Sequence, residues 1–430
     1  VLKLGADEQF RPLEHHSRMI WFSPDYAPAD SGPPVDCIRF RERLWLLWEP
    51  SVDWQLGLRL AHRSWYFLSR PGPNNVRRAT WRFPDEVIVD NLQLTWGRPE
   101  RSGWFVRAGR FDLSEGGAPT FGTGLLIADG TTLDGGRSSY FDGVLGGWRS
   151  EDKADQLRAG LFYLDWKDRT LVINDVQRTL LPGNCTVALL EWRHRVSERL
   201  TVAPFLFEDA VSDHQARKEN GHIGVAGLRF SGLLAPGTDY SADFARQFGS
   251  YQAGVVGGAL QDCAGGFADL RLNRRLPDCG GTALTLRAEY TWFSGDNPAT
   301  TGRYEGWHPL FALNTPLYRE ECYYTLNKGF WNNLHHFQLQ LEALLRKGDP
   351  ARNQAGRLSL VPGWTSLWAD RRNGSAGGGA HYGEMPSLFL DWQCTRWVKL
   401  TLLGAALLPG DFYRGSGLGE WLRAELLFTY

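Results

Sequence analysis

Arginine is the side chain through which this sequence could do most of its chemistry. Lys and Arg together number 47, and only seven of them are Lys, at positions 3, 153, 167, 218, 328, 347 and 399. A guanidinium is planar, always charged and able to grip a carboxylate through two parallel N–H bonds, so several on one surface attract and order anions. The spacing makes such a set. Arg39, Arg41 and Arg43 share one parity, and Arg59, Arg107, Arg158, Arg193, Arg195, Arg229, Arg271 and Arg287 stand opposite the aliphatic positions of alternating runs. Carboxylates take the same side at Glu191, Asp243, Asp269, Glu289 and Glu342. Two readings stay open: the charges select anions, or Arg and Glu on adjoining strands neutralise one another. A formal net charge of -1 favours the second, and the bias toward Arg favours the first.

Other chemistry has little support. Histidine pairs stand at 15–16 and 335–336, His335 and His336 occupy opposite faces of a strand, and no Gly-x-Ser-x-Gly or His-Glu-x-x-His pattern occurs. The expectation is no catalytic residue, no cofactor and no metal. Asp296, Asn297 and Glu305 offer oxygen ligands in the stretch 294–333, but without the ligand order of a calcium loop. The six cysteines form no CxxC pair, so they are either disulfides of an oxidising compartment or small buried residues. Near-neutral charge argues against a nucleic-acid partner.

The elements that must position these arginines are strands. In LTLRAEYTW one face reads Leu284, Leu286, Ala288, Tyr290 and Trp292, and the other Arg287, Glu289 and Thr291. The same period of two recurs in DWQLGLRLA, VALLEWRHR, GGFADLRLN and HHFQLQLEAL, and in the final segment, where Leu422, Ala424, Leu426, Phe428 and Tyr430 oppose Arg423, Glu425, Leu427 and Thr429. Glycine (49), Trp (19) and Tyr (14) are abundant, against 2 Met. No run reaches the roughly 18 apolar residues of a membrane helix. The runs are instead about 9–13 residues long, end in aromatics, and are joined alternately by short and long connections, which is the signature of tilted strands in a membrane barrel.

Eighteen strands are expected, near 2–14, 37–48, 52–66, 86–96, 103–112, 139–149, 156–166, 185–195, 199–209, 221–233, 237–249, 260–274, 282–293, 334–346, 357–369, 385–396, 397–408 and 417–430. The fold class is all-β: a closed antiparallel transmembrane barrel forming one domain over 1–430, with short periplasmic turns and long extracellular loops. The aliphatic face then meets lipid and the arginine face lines the lumen. Glu42 breaks the pattern, because it must face outward near a headgroup unless a bulge shifts the register. On this topology Cys37, Cys185, Cys263 and Cys322 lie at the outer end, and Cys279 and Cys394 at the periplasmic end. The Gly-rich connection 113–138 is a candidate constriction loop, with Asp129, Asp134, Arg137 and the nearby Asp142; an ordinary external loop is the other reading. The chain opens on Val1 with no signal-like run, as expected of a mature chain whose targeting peptide has been removed.

Four motifs follow in order: VRAGRFDLSEG, GTTLDGGRSSYFDGV, TWFSGDNPATTGRYEGWHPLF and LLPGDFY. Together they resemble the alginate-export type of outer-membrane porin over most of the chain. The resemblance implies residence in a Gram-negative outer membrane, and a terminal aromatic (Tyr430) that the barrel-assembly machinery reads. It also implies passage of an anionic polysaccharide through an Arg-rich lumen, without carrying alginate itself over to this chain. The expected function is a passive channel, with outer-membrane lipid and lipopolysaccharide, an anionic glycan or small anion, and periplasmic or surface proteins as partners. The alternative is a plugged barrel whose outer loops dock other surface proteins.

Overall fold

The structure, a computed structural model, describes residues 1–17, 35–71, 77–82, 85–113, 140–167, 171–173, 181, 183–212, 221–252, 259–308, 310–311, 332–375, 377–414 and 417–430. Eighteen long strands form its wall: β1 Leu2–Ser17, β2 Val35–Trp48, β3 Trp54–Pro71, β4 Val87–Gly97, β5 Gly103–Arg110, β6 Asp142–Arg149, β7 Asp155–Leu164, β8 Asn184–Ser197 and β9 Leu200–Ser212. They continue as β10 Gly221–Ala235, β11 Thr238–Tyr251, β12 Gly266–Cys279, β13 Thr282–Phe293, β14 Leu334–Arg346, β15 Leu358–Trp368, β16 His381–Gln393, β17 Val398–Pro409 and β18 Gly419–Thr429. Each pairs antiparallel with the next, and β18 returns to β1 in a register that sets Glu8 against Phe428, so the sheet closes. Closure is what lipid demands, since an open edge would leave backbone groups unpaired where no water can reach them.

The expected strands are all present. Several boundaries shift, among them 52–66, which runs on to Pro71, and 139–149, which starts at Asp142. The run 260–274 is broken at Ala264 and Gly265 into a short outer strand, Gln261–Cys263, and β12, which continues to Cys279. The run 385–396 begins earlier, at His381. At one end the joins are tight. Gly280 and Gly281 both take positive φ (57° and 82°), which a two-residue turn between twisted strands requires and a side chain would oppose. The join 347–357 is longer and carries a one-turn 3-10 segment, Pro350–Arg352, capped by the Asp349 side chain. The opposite end bears the long connections. There Arg77–Arg82 pairs with β3, and Leu171–Ile173 pairs with the start of β4.

Register sorts the two faces. Outward positions carry exposed Trp48, Trp54, Trp96, Trp104 and Trp192 near the turn end and Trp81, Trp364 and Trp368 near the loop end, with Leu4, Leu44, Leu161, Leu206 and Leu339 between. Two aromatic girdles thus bracket an aliphatic band. Glu42 does point outward: β2 and β3 pair without a shift from Cys37 to Trp48, and its carboxylate meets the outward His62 ring at 2.6 Å, close below the outer aromatics Phe40 and Tyr66.

Candidate functional site: the inner wall of the barrel

The inward parity collects every arginine named above. Trp45 faces Arg59 across the β2–β3 pair, Arg43 faces Ala61, and Arg41 faces Arg63, all on the lumen side. Arg107 on β5, Arg158 on β7, Arg193 and Arg195 on β8, Arg229 on β10, Arg271 on β12 and Arg287 on β13 follow, with Glu191, Asp243, Asp269, Glu289 and Glu342 among them. These side chains lie inside because the opposite parity is apolar and a one-residue slip would put charge into lipid.

Most of these arginines meet a carboxylate on a neighbouring strand. Arg41 and Arg43 share Asp7 at 3.0 and 2.9 Å. Arg59 binds Asp90 and Asp112, Arg158 binds Glu191, Arg229 binds Asp243, and Arg287 binds Glu342. Arg271 lies 2.9 Å from Asp269 and 3.5 Å from Glu289. Mutual neutralisation therefore describes much of the wall.

One patch departs from it. Arg149, Arg158, Arg193 and Arg229 lie within electrostatic range of one another on β6 to β10, and Arg195 adjoins them at the turn end. Arg149, Gln156 and Arg193 occupy one cross-strand row, one position from the Arg158–Glu191 pair. Arg193 has no ion-pair or hydrogen-bond partner among the described residues. Arg107, above them, donates to Thr95 Oγ1 at 3.2 Å and covers the Phe111 ring at 5.4 Å, with no ion pair among the described residues, Glu100 and Asp112 acting on it from farther off. The patch holds more guanidinium than carboxylate charge, so it can hold an anion. Arg149 has the lumen parity in the run GGWRS, and parity alone would have found it.

The loop-side half of the lumen is different. Phe162, Val187, Phe207, Ile223, Val225, Phe267 and Phe293 point inward and are buried. They pack against chain that folds in from the loop end: Phe111, Leu113 and Phe141, and Trp307, Leu310 and Phe311 of the segment 305–311, while Tyr140 packs apart with Ala61 and Ile88. Phe311 meets Phe141 at 5.4 Å and Phe207 at 6.1 Å between ring centres, and Trp307, fully buried, lies 5.3 Å from Phe267. Gln247 fastens the segment by its backbone: its Nε2 donates to the His308 carbonyl (2.7 Å) and its Oε1 accepts from the His308 N–H (2.8 Å). The Trp307 N–H donates to the Ser294 carbonyl, and the Ser294 hydroxyl to the Glu305 carbonyl. Burial without a charged partner holds the His308 imidazole down to about 4.

The candidate constriction loop 113–138 lies outside the described residues except Leu113; among the described residues the infolded chain is 305–311, from the stretch 294–333, together with the flanks of 114–139. Asp129, Asp134 and Arg137 lie outside the described residues. Asp142 does not belong to a lumen loop. It opens β6 on the outward parity beside Tyr163, and Arg110 grips both its oxygens at 2.7 Å. Burial of Trp307 and Phe311 has no signature in alternation, since neither stands in a strand. Cys322 also lies outside the described residues, while Cys263 is buried in the apolar cluster and Cys279 is exposed at its turn.

A family model described as alginate export matches residues 139–419. No curated protein sequence matches the chain. Among solved structures, OccAB4 of Acinetobacter baumannii superposes with a TM-score of 0.57 at 10% identity, over 99% of this chain and 97% of that one. OpdK of Pseudomonas aeruginosa, solved with vanillate, gives 0.56 at 11%, over 100% and 98%. A BenF-like porin of Pseudomonas fluorescens Pf-5 gives 0.54 at 11%, over 100% and 98%. At such identities these neighbours establish the fold.

Proposed function

Since this chain belongs to the alginate export family and forms a β-barrel channel of the Gram-negative outer membrane, we propose that it passes anionic solutes or an acidic polysaccharide down the arginine patch of β5 to β10. The observation that carries this reading is the excess of guanidinium there, with neither Arg193 nor Arg107 in an ion pair among the described residues, although Glu100 and Asp112 lie within electrostatic range of Arg107. Arginine rows of this kind exchange a carboxylated chain from one fork to the next without a tight resting site. Transport is passive in this reading, and no residue has a catalytic role. Periplasmic or surface proteins are partners at the two ends.

The test is single-channel conductance in a planar bilayer, with reversal potential under a salt gradient and titration with uronic-acid oligosaccharides. Anion selectivity with block by the oligosaccharides supports the proposal, and cation selectivity without block overturns it. The apolar packing of 305–311 favours a second reading, a plugged barrel that serves as a docking scaffold. A channel that never opens would select it.

A further inference from the structure

The outward wall of β12 to β16 is not the smooth aliphatic surface that a lipid-facing sheet needs. Ala288, in the middle of β13, is small where its neighbours are large, and a groove of about 450 Å³ opens over it. Leu270, Leu272, Phe337, Tyr290 and Trp364 form its sides. All are on the lipid parity, and Phe337 and Trp364 are each 49% exposed. The groove lies two to six residues below the loop-side ends of its strands, roughly 5–15 Å along a tilted strand, so it opens to the outer leaflet.

Its margin is polar in an ordered way. Glu384 faces outward beside the groove, which is costly for a carboxylate at this depth. It accepts from the Trp364 indole N–H (2.7 Å) and the Ser366 hydroxyl (2.7 Å) and contacts His381 Nε2 (2.8 Å). Two carboxylate oxygens offer about four acceptor sites, so one donor more can be taken. Farther out, cations flank the groove. Arg246 stands outward and exposed opposite Gly266, four residues above Leu270. Arg371 and Arg372 follow β15 directly, both exposed. Arg371 touches only the edge of Asp370, at 3.8 Å, and neither Arg246 nor Arg372 has a carboxylate in contact among the described residues.

The order from membrane core to surface is an apolar groove, a hydrogen-bond acceptor, then a rim of three arginines against the single carboxylate of Asp370, whose oxygens already accept from Trp292 and Gly295. One lipid class has the matching order: acyl chain, amide or hydroxyl donor, phosphate. We propose that this wall is a binding site for one molecule of lipid A. An acyl chain lies over Ala288, an amide or 3-hydroxyl group of the lipid donates to Glu384, and the phosphates meet Arg246, Arg371 and Arg372. The site is separate from the lumen, and its occupancy is independent of what the channel conducts.

The test is native mass spectrometry of the detergent-purified full chain, delipidated and then titrated with lipid A or with phosphatidylethanolamine. Heat-modifiable gel migration checks that each variant folds. The wild type is expected to bind one lipid A in preference to phosphatidylethanolamine. Ala288→Phe, which fills the groove, weakens lipid A at least tenfold, whereas Gly146→Phe, on the lipid face of β6, binds as the wild type does. The triple variant Arg246→Ala, Arg371→Ala, Arg372→Ala lies at the rim, outside the packed wall, so it reports even where Ala288→Phe does not fold. It should weaken lipid A tenfold and leave phosphatidylethanolamine unchanged. Equal binding of the two lipids, or a triple variant that keeps wild-type affinity for lipid A, overturns the proposal.

Discussion

Reversing the charge of Arg193 is the perturbation that speaks most directly to the lumen. Arg158 and Arg229 each hold a buried carboxylate, so changing them would orphan Glu191 or Asp243. Arg193 has no such partner among the described residues, and Arg193→Glu alters the field without leaving an acid exposed. An anion passing about 6 Å from a unit positive charge in a water-filled bore is stabilised by about 0.7 kcal/mol. Charge reversal costs the anion about 1.4 kcal/mol and favours the cation by as much, so the anion-to-cation ratio moves by about 2.8 kcal/mol. At 0.1 M salt the Debye length of about 10 Å reduces this to about 1.5 kcal/mol, roughly a tenfold change in the ratio. Arg149, one row-mate away, would turn toward the new carboxylate and lose part of its own pull, in the same direction. The assay is reversal potential under a salt gradient, repeated at 1 M, where screening over about 3 Å should erase most of the shift. A reversal potential that Arg193→Glu leaves in place at 0.1 M would refute the idea that this patch sets selectivity.

Removing the latch should change the bore rather than the selectivity. Gln247→Ala deletes two hydrogen bonds to the His308 backbone, worth about 1–3 kcal/mol together, and single-channel records should show larger or noisier openings. Trp307→Ala empties a fully buried position and should cost about 3–5 kcal/mol of docking, read as a lasting rise in conductance with an unchanged heat-modifiable band. The His308 imidazole is held down to about 4 in the folded chain, below the ordinary histidine value. Its contribution to docking is therefore complete above about 6.5 and lost as pH falls toward 4. Openings should grow more frequent across that window in the wild type, and His308→Gln should remove the dependence. Asp142→Ala breaks an outward pair with Arg110 whose acid side chain is 40% exposed. It should cost about 1–3 kcal/mol of stability, since the Arg110 side chain is only 10% exposed, and leave conductance unchanged, whereas a lumen acid would not.

The wall of this barrel was legible before any coordinate. A period of two sorts each strand into a lipid face and a lumen face, so the inward set follows from parity alone. That is why Arg41, Arg158, Arg193 and Arg271 stand where alternation puts them, and why Glu42 could be seen to face the wrong way. What alternation cannot express is which partner a side chain meets across a row. Register between strands decides that Arg158 meets Glu191 and Arg229 meets Asp243, leaving Arg193 without an ion pair among the described residues. Nor does any local pattern announce that 305–311 turns inward. That segment is short and aperiodic, and its place follows from inward aromatics on distant strands, Phe207 and Phe267 among them, which bury their area only when Trp307 and Phe311 reach them. The strands and their faces are properties of the chain read one residue after another; the pairing of charges and the filling of the bore are properties of the closed cylinder.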